Sequence, residues 1–236
     1  MKLEANEANE SNFDLFDVGR EALAAARTAF AGNAFFVSAR RLQPDGVWLG
    51  SPEATLALVE EGTLAALGGL AAARKLGANG VLCDLAGGVA GEAVGLGMRV
   101  LACVSFAAEE SSDTRRARLD QLAELVRRVP GIDGVFPVPV GEAQGLDTLQ
   151  FFAACRMTCP TLHLVVDLER LGQKLGQLCL SFGADEVLGA ITKQRALRLG
   201  EHAASNALTR DEAALLLRAS GFTPCERLPE GEVQVL

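Results

Sequence analysis

Short apolar runs give way again and again along this chain to longer helical patterns, and that alternation limits the fold more than any other feature. Strand-like runs fall at residues 34–40, 80–85, 99–106, 134–140, 161–166 and 184–188. A strand followed by a helix, repeated in this way, specifies a parallel sheet with right-handed crossovers. A doubly wound sheet and a closed barrel both satisfy the pattern, and periodicity alone does not choose between them. With 49% hydrophobic residues the chain has enough apolar material to cover both faces of such a sheet.

The helical segments carry their own end signals. Phe16, Leu23 and Phe30 recur at helical spacing within 13–30, and Gly32-Asn33 stops that helix. Ser51-Pro52-Glu53 reads as a helix opener, with a capping serine, a proline at the first position and an acid at the positive end. The helix it predicts runs to about residue 76, broken at Gly68-Gly69. Ser112 or Asp113 caps a charged helix ending at Arg128. Thr209 stands three residues before Glu212, the spacing of a capping box, and residues 232–236 read as an edge strand. The acidic, polar residues 1–12 are expected to form a flexible tail, and residues 13–236 a single domain.

Several function classes are excluded as expectations. A formal charge of −8 without Lys/Arg clusters predicts no binding to nucleic acid or to anionic membranes. No charge-free apolar run approaches the roughly 20 residues a transmembrane helix needs. The acidic start is the opposite of a secretory leader. The six cysteines, Cys83, Cys103, Cys155, Cys159, Cys179 and Cys225, are scattered through apolar segments, which fits reduced, buried thiols and a cytoplasmic location.

Two segments carry a family resemblance. GQKLGQLCLSFGADE (Gly172 to Glu186) and LTRDEAALLLRASGFTPCER (Leu208 to Arg227) resemble stretches near the end of the barrel in one group of radical SAM enzymes. That group comprises aminofutalosine synthase and dehypoxanthine futalosine cyclase of menaquinone biosynthesis, with the related deazaflavin cofactor synthase. Leu15 to Asn33 is similar to the group's leading helix, Phe35 to Val47 to its first strand and loop, and Ala72 to Gly88 to its second helix and strand. The resemblance implies a TIM-like (β/α) barrel with a leading N-terminal helix and a C-terminal helical extension. From Gly88 the chain takes only a short helix before Met98 to Leu101, which looks like a later strand of the family. The barrel is therefore expected to be shortened to about six parallel strands from the eight of the full fold.

The resemblance also shows what this chain lacks. In the family, the loop after the first strand carries CxxxCxxC, whose thiolates hold a 4Fe–4S cluster that binds S-adenosylmethionine. Here the gapless alignment places Trp48, Pro52 and Thr55 at those positions, none of which supplies a thiolate. No cysteine precedes Cys83, and no CxxxCxxC occurs anywhere. Cys155 and Cys159 have one suitable interval but no third partner, so they are expected as buried thiols. Thr192-Lys193-Gln194 stands where the family has acidic residues. No cofactor and no metal are expected.

Ligands of α/β barrels sit at the C-terminal ends of the strands. There this sequence offers Arg40, Asp84, Gly87, Gly88 and Asp167 as ligand-binding candidates, with Arg41, Ser105, Glu169 and Asp185 beside them. Arg40 can bind a carboxylate or phosphate in a bidentate manner, or pair with a buried acid such as Asp84. Gly87-Gly88 serves either as a ligand approach or as a tight turn. His163 reads as a hydrogen-bonded core group and His202 as a surface residue. No motif of a hydrolase nucleophile, a zinc protease or a phosphate loop is present, and no catalytic residue is assigned. The expectation is a catalytically degenerate radical-SAM-like protein, a binding or assembly partner linked to menaquinone (futalosine) biosynthesis. Its partners are expected to be a small molecule, a second copy of itself or a radical SAM homologue. The alternatives are an enzyme of replaced, cluster-independent chemistry using acids such as Asp84 and Asp167, and a purely structural oligomer.

Overall fold

The computed structural model describes residues 4–50, 54–108, 110–141, 145–192, 207–228 and 232–236, with side chains from residue 16 onward. Helix α1 (Glu4–Ala29) leads into β1 (Asn33–Leu42) and a short returning strand, β2 (Trp48–Gly50). β3 (Leu56–Glu60) follows, then a 3-10 turn over Glu61–Thr63 and two helical pieces, α2 (Leu64–Leu67) and α3 (Leu70–Lys75). Next come β4 (Gly80–Cys83), α4 (Ala90–Gly95), β5 (Arg99–Ala107) and α5 (Ser112–Arg128). β6 (Gly134–Val140), α6 (Gly145–Thr158), β7 (His163–Asp167), α7 (Leu168–Ser181) and β8 (Glu186–Gly189) continue the alternation. A small parallel pair, β9 (Ile191–Thr192) and β10 (Leu208–Thr209), precedes α8 (Arg210–Ala219), β11 (Thr223–Arg227) and β12 (Val233–Val235).

Strands β1, β3, β4, β5, β6, β7 and β8 pair in parallel in that order, and β8 returns to β1, so the barrel closes. It has seven strands rather than about six. The additional one is β3, within the stretch whose sequence predicts a single helix to residue 76. The opener Ser51-Pro52-Glu53 lies outside the described residues, but from Leu56 the backbone is extended and pairs with both β1 and β4. Leu56, Ala57, Leu58 and Val59 are all buried, because this strand is covered on both faces. Helix begins only at Leu64, and it breaks at Gly68-Gly69 as expected.

Strand β1 is the seam of the barrel. Its first half pairs with β8 on one edge and with β11 on the other. Its second half pairs with β3 and, antiparallel, with the returning strand β2. β11 is a further strand, in a stretch where the sequence predicts none, and β12 lies antiparallel to it as the expected edge strand. α1 begins at Glu4, within the segment expected as a tail. The cap of α5 is Ser111, whose hydroxyl accepts from the Thr114 N–H, one residue before the expected position. The Thr209–Glu212 capping box forms as its spacing predicts.

Alternate residues of each strand serve two cores. Val37, Ala39, Leu58, Leu82, Leu101, Phe136, Val165 and Leu188 fill the inside of the barrel. The opposite faces, with Phe36, Val59, Val81, Val100 and Phe106 among them, pack outward under the helices. A separate small cluster of Ala22, Ala153 and Phe182 fixes α1 against α6 and α7. Truncating an inner side chain such as Leu58 to alanine costs about 2–5 kcal/mol, since the tightly filled interior has little room to relax. All six cysteines are free thiols, and none but Cys103 shows appreciable exposure. No helix among the described residues is long and apolar enough to cross a membrane.

Candidate functional site

The inner-face alternation continues past the apolar layer to the strand ends. After Val37 and Ala39, β1 presents Arg41, and after Leu56 and Leu58, β3 presents Glu60. After Val165, β7 presents Asp167, which also opens α7 by accepting the Glu169 N–H at 3.0 Å. These side chains meet across the mouth. Arg41 donates to Asp167 at 2.5 Å and to Glu60 at 3.0 Å, with its guanidinium 5.7 Å from the centre of the Phe136 ring. Arg170, from the first turn of α7, reaches the same two acids, at 3.2 Å to Asp167 and 3.3 Å to Glu60. Two guanidinium groups thus share two carboxylates.

A cleft of about 410 Å³ lies over this quartet, bounded also by Leu42, Gln43, Pro44, Thr63 and Glu169. Burial raises the Glu169 carboxyl above its ordinary value, and the neighbouring Asp167 carboxylate adds to the shift. Cys103 faces the interior beneath the mouth; burial pushes its thiol up to about 12, so it is not a thiolate nucleophile at neutral pH.

Of the residues expected to bind a ligand, Asp167 alone belongs to this mouth. Arg40 points to the outer face, where its guanidinium lies 4.3 Å over the Trp48 ring; it pairs neither with a ligand cleft nor with Asp84. Asp84 folds onto its own turn, accepting the N–H groups of Ala86 at 2.9 Å and Gly87 at 3.1 Å. Gly87 has φ +67, and a Cβ there would stand 2.3 Å from Leu125, so the glycine serves the packing of α5. At Gly88 a Cβ would stand 2.9 Å from the Glu61 carboxylate, which accepts the Asp84 N–H at 2.9 Å. The glycine turn therefore approaches a carboxylate of its own chain, and burial raises that Glu61 carboxyl.

Asp185 lies at the opposite end of the barrel from the mouth, because it precedes β8 rather than following it. One of its oxygens accepts from Arg156 and from the Leu164 N–H, and the other bonds His163. His163 is the hydrogen-bonded core group that its strand position suggests, stacked 4.4 Å from Phe30. Next to it, Glu186 is fully buried and takes a bidentate Arg99 at 2.6 and 2.8 Å, with Arg227 at 2.9 Å. Burial alone would raise that carboxyl, but the two arginines overcome it and hold it at about 2. Lys193, Gln194 and His202 lie outside the described residues.

Glu60 and Arg170 were not singled out in the sequence. Glu60 sits in the strand read as helix, and Arg170 gains its role only from the turn that Asp167 caps.

No protein-family model matches the chain, and no curated protein matches it. Solved structures do. Methylornithine synthase (PylB) superposes with a TM-score of 0.61 at 12% identity, over 89% of each chain. HydG, a maturase of the FeFe-hydrogenase, gives 0.58 at 9% identity, over 89% of this chain and 68% of its own. HydG from Carboxydothermus hydrogenoformans gives 0.57 at 12%, over 88% and 71%. The loop after β1 turns back as β2, where the Trp48 indole donates to the Leu76 carbonyl at 3.2 Å. Thr55 bonds the carbonyls of Ser38 and Arg227, each at 3.3 Å. Among the described residues no group of three or more His, Cys, Asp or Glu is placed to hold a metal ion. What these likenesses establish is the fold, a closed parallel barrel of the kind found in radical SAM enzymes.

Proposed function

We propose that this protein keeps the radical SAM barrel without its cluster-dependent chemistry and acts as a binding or assembly partner, with its ligand site at the Arg41–Asp167 mouth. The observation that carries the reading is the use made of Trp48 and Thr55. Two positions that align with cluster thiolates are committed to the wall of the barrel, one stacked on Arg40 and one bonded to two backbone carbonyls. Reductive cleavage of S-adenosylmethionine needs an electron source, and this donor set offers none. The link to menaquinone (futalosine) biosynthesis rests on the Gly172–Glu186 and Leu208–Arg227 resemblance, and a cytoplasmic location on the six free, mostly buried thiols.

Anaerobic reconstitution with iron and sulfide tests the first part. Bound iron should remain far below stoichiometric after desalting, and a stable, stoichiometric cluster would sink the reading. Co-purification with a radical SAM homologue and a thermal shift with aminofutalosine-like ligands test the second. Failure of both removes the pathway link.

The alternative of a carboxylate enzyme required Asp84 and Asp167 to converge. Their hydrogen-bonding partners are disjoint, so such chemistry has to draw on Asp167 and Glu169 instead. The structural-oligomer alternative loses the open barrel edge it was argued from, because β8 pairs with β1, and sedimentation of the full chain tests it directly.

A further inference from the structure

The mouth quartet is symmetric in its bonds but not in its burial. Asp167 is 2% exposed; Arg41 and the Glu169 N–H donate to it, and Arg170 pairs with it at 3.2 Å. Glu60 is 45% exposed and bonds the same two guanidinium groups from the cleft side. The two acids therefore differ in how readily they can be replaced. Moving Asp167 away leaves a buried cation facing a buried gap, whereas Glu60 can swing into water and keep its hydration.

From this asymmetry we infer that the cleft takes a small organic carboxylate, which replaces Glu60 on Arg41 and Arg170 while Asp167 stays in place. This inference rests on the mouth being the binding site, and it adds the chemical class of the ligand. The exchange is one carboxylate for another, so both guanidinium groups keep their hydrogen bonds and the charge of the cluster is unchanged. A phosphate monoester offers the same oxygens with more charge. Asp167 and Glu169 already stand beside the site, so the additional negative charge is repelled and the monoanion is preferred. The ligand's remaining body lies against Leu42, Pro44 and the stem of Arg170, in a space at the small end of the usual range for ligand pockets. Glu60 then functions as an internal competitor, which sets how tightly any carboxylate can bind.

Titration calorimetry on the full chain tests this with benzoate, benzamide and phenyl phosphate. Benzoate should bind at millimolar concentration, benzamide should not, and phenyl phosphate should bind more weakly than benzoate. Glu60→Gln keeps the shape and removes the competing charge, so benzoate should bind about threefold tighter, the scale of a half-exposed ion pair. Arg170→Gln should lose binding by about tenfold or more. Its melting temperature without ligand, close to that of the parent, shows that the loss belongs to the site. No benzoate binding, equal binding of benzamide, tighter binding of phenyl phosphate, or a Glu60→Gln variant that binds no better would each overturn the inference. None of these results touches cluster reconstitution, so the two readings fail separately.

Discussion

The two ends of the barrel are built from the same chemistry and behave differently. At the base, Glu186 is fully buried between Arg99 and Arg227, and Arg99 also donates to Asp133 at 2.5 Å. At the mouth, Arg41 and Arg170 share Asp167 and Glu60, but Glu60 and Arg170 are both more than a third exposed. Water can substitute for Glu60 at the mouth and cannot substitute for Glu186 at the base. An arginine–carboxylate network is thus a permanent plug where it is dry and an exchangeable surface where it is wet.

The largest test of that contrast is Glu186→Gln. It leaves the buried guanidinium groups of Arg99 and Arg227 short of an anion, and urea unfolding should show a loss of about 3–5 kcal/mol. A loss no larger than at the mouth would erase the distinction. Acid titration is next. The Glu186 carboxyl sits at about 2, below its ordinary value of 4.5, so its contribution is complete above that value. The contribution is lost as pH falls from about 4.5 to about 2, by up to roughly 1.4 kcal/mol per pH unit. Urea midpoints measured between these limits should fall more steeply for the parent than for Glu186→Gln. At the mouth, Glu60→Gln should change stability by about 1 kcal/mol or less, because the pair is half exposed. The smallest effect has the opposite sign. Glu169 is raised by burial, so ionising it costs stability at neutral pH, and Glu169→Gln should melt slightly higher at pH 7 and not at pH 4.

Much of the fold is legible in the sequence, because parallel strands buried on both faces read as unbroken apolar runs between helical segments. The same property hides which way a strand faces. Phe36 and Val37 are adjacent and both buried, so nothing in the sequence of β1 says that Arg41 points inward and Arg40 outward. β3 is concealed differently. Its residues, LALVE, are followed by Glu-Gly-Thr-Leu-Ala-Ala-Leu, and leucine and alanine are good helix formers; pairing with two neighbours overrides that preference. β11 contains a proline and two charged residues, a composition that argues against a strand, yet Pro224 is accommodated opposite Ala34. Asp185 precedes β8 and accepts the Leu164 N–H at the base, so its place among the candidate mouth residues reverses the strand's direction. What the sequence could not supply was parity and polarity, and both decide a site.

The shared seam strand has a consequence for the order in which the molecule can be made. β1 is finished early in synthesis, but two of its partners, β8 and β11, lie at Glu186–Gly189 and Thr223–Arg227. Until they emerge, its first half is an apolar ribbon with unanswered N–H and C=O groups, and long-range pairings of this kind close slowly. A nascent or truncated chain ending before Glu186 therefore offers a sticky edge to any other chain nearby. The hairpin with β2 can form at once and shields only the second half of the strand, through Arg40, Arg41 and Leu42. Recovery from the denatured state should accordingly depend on protein concentration far more than the tightly packed final barrel would suggest.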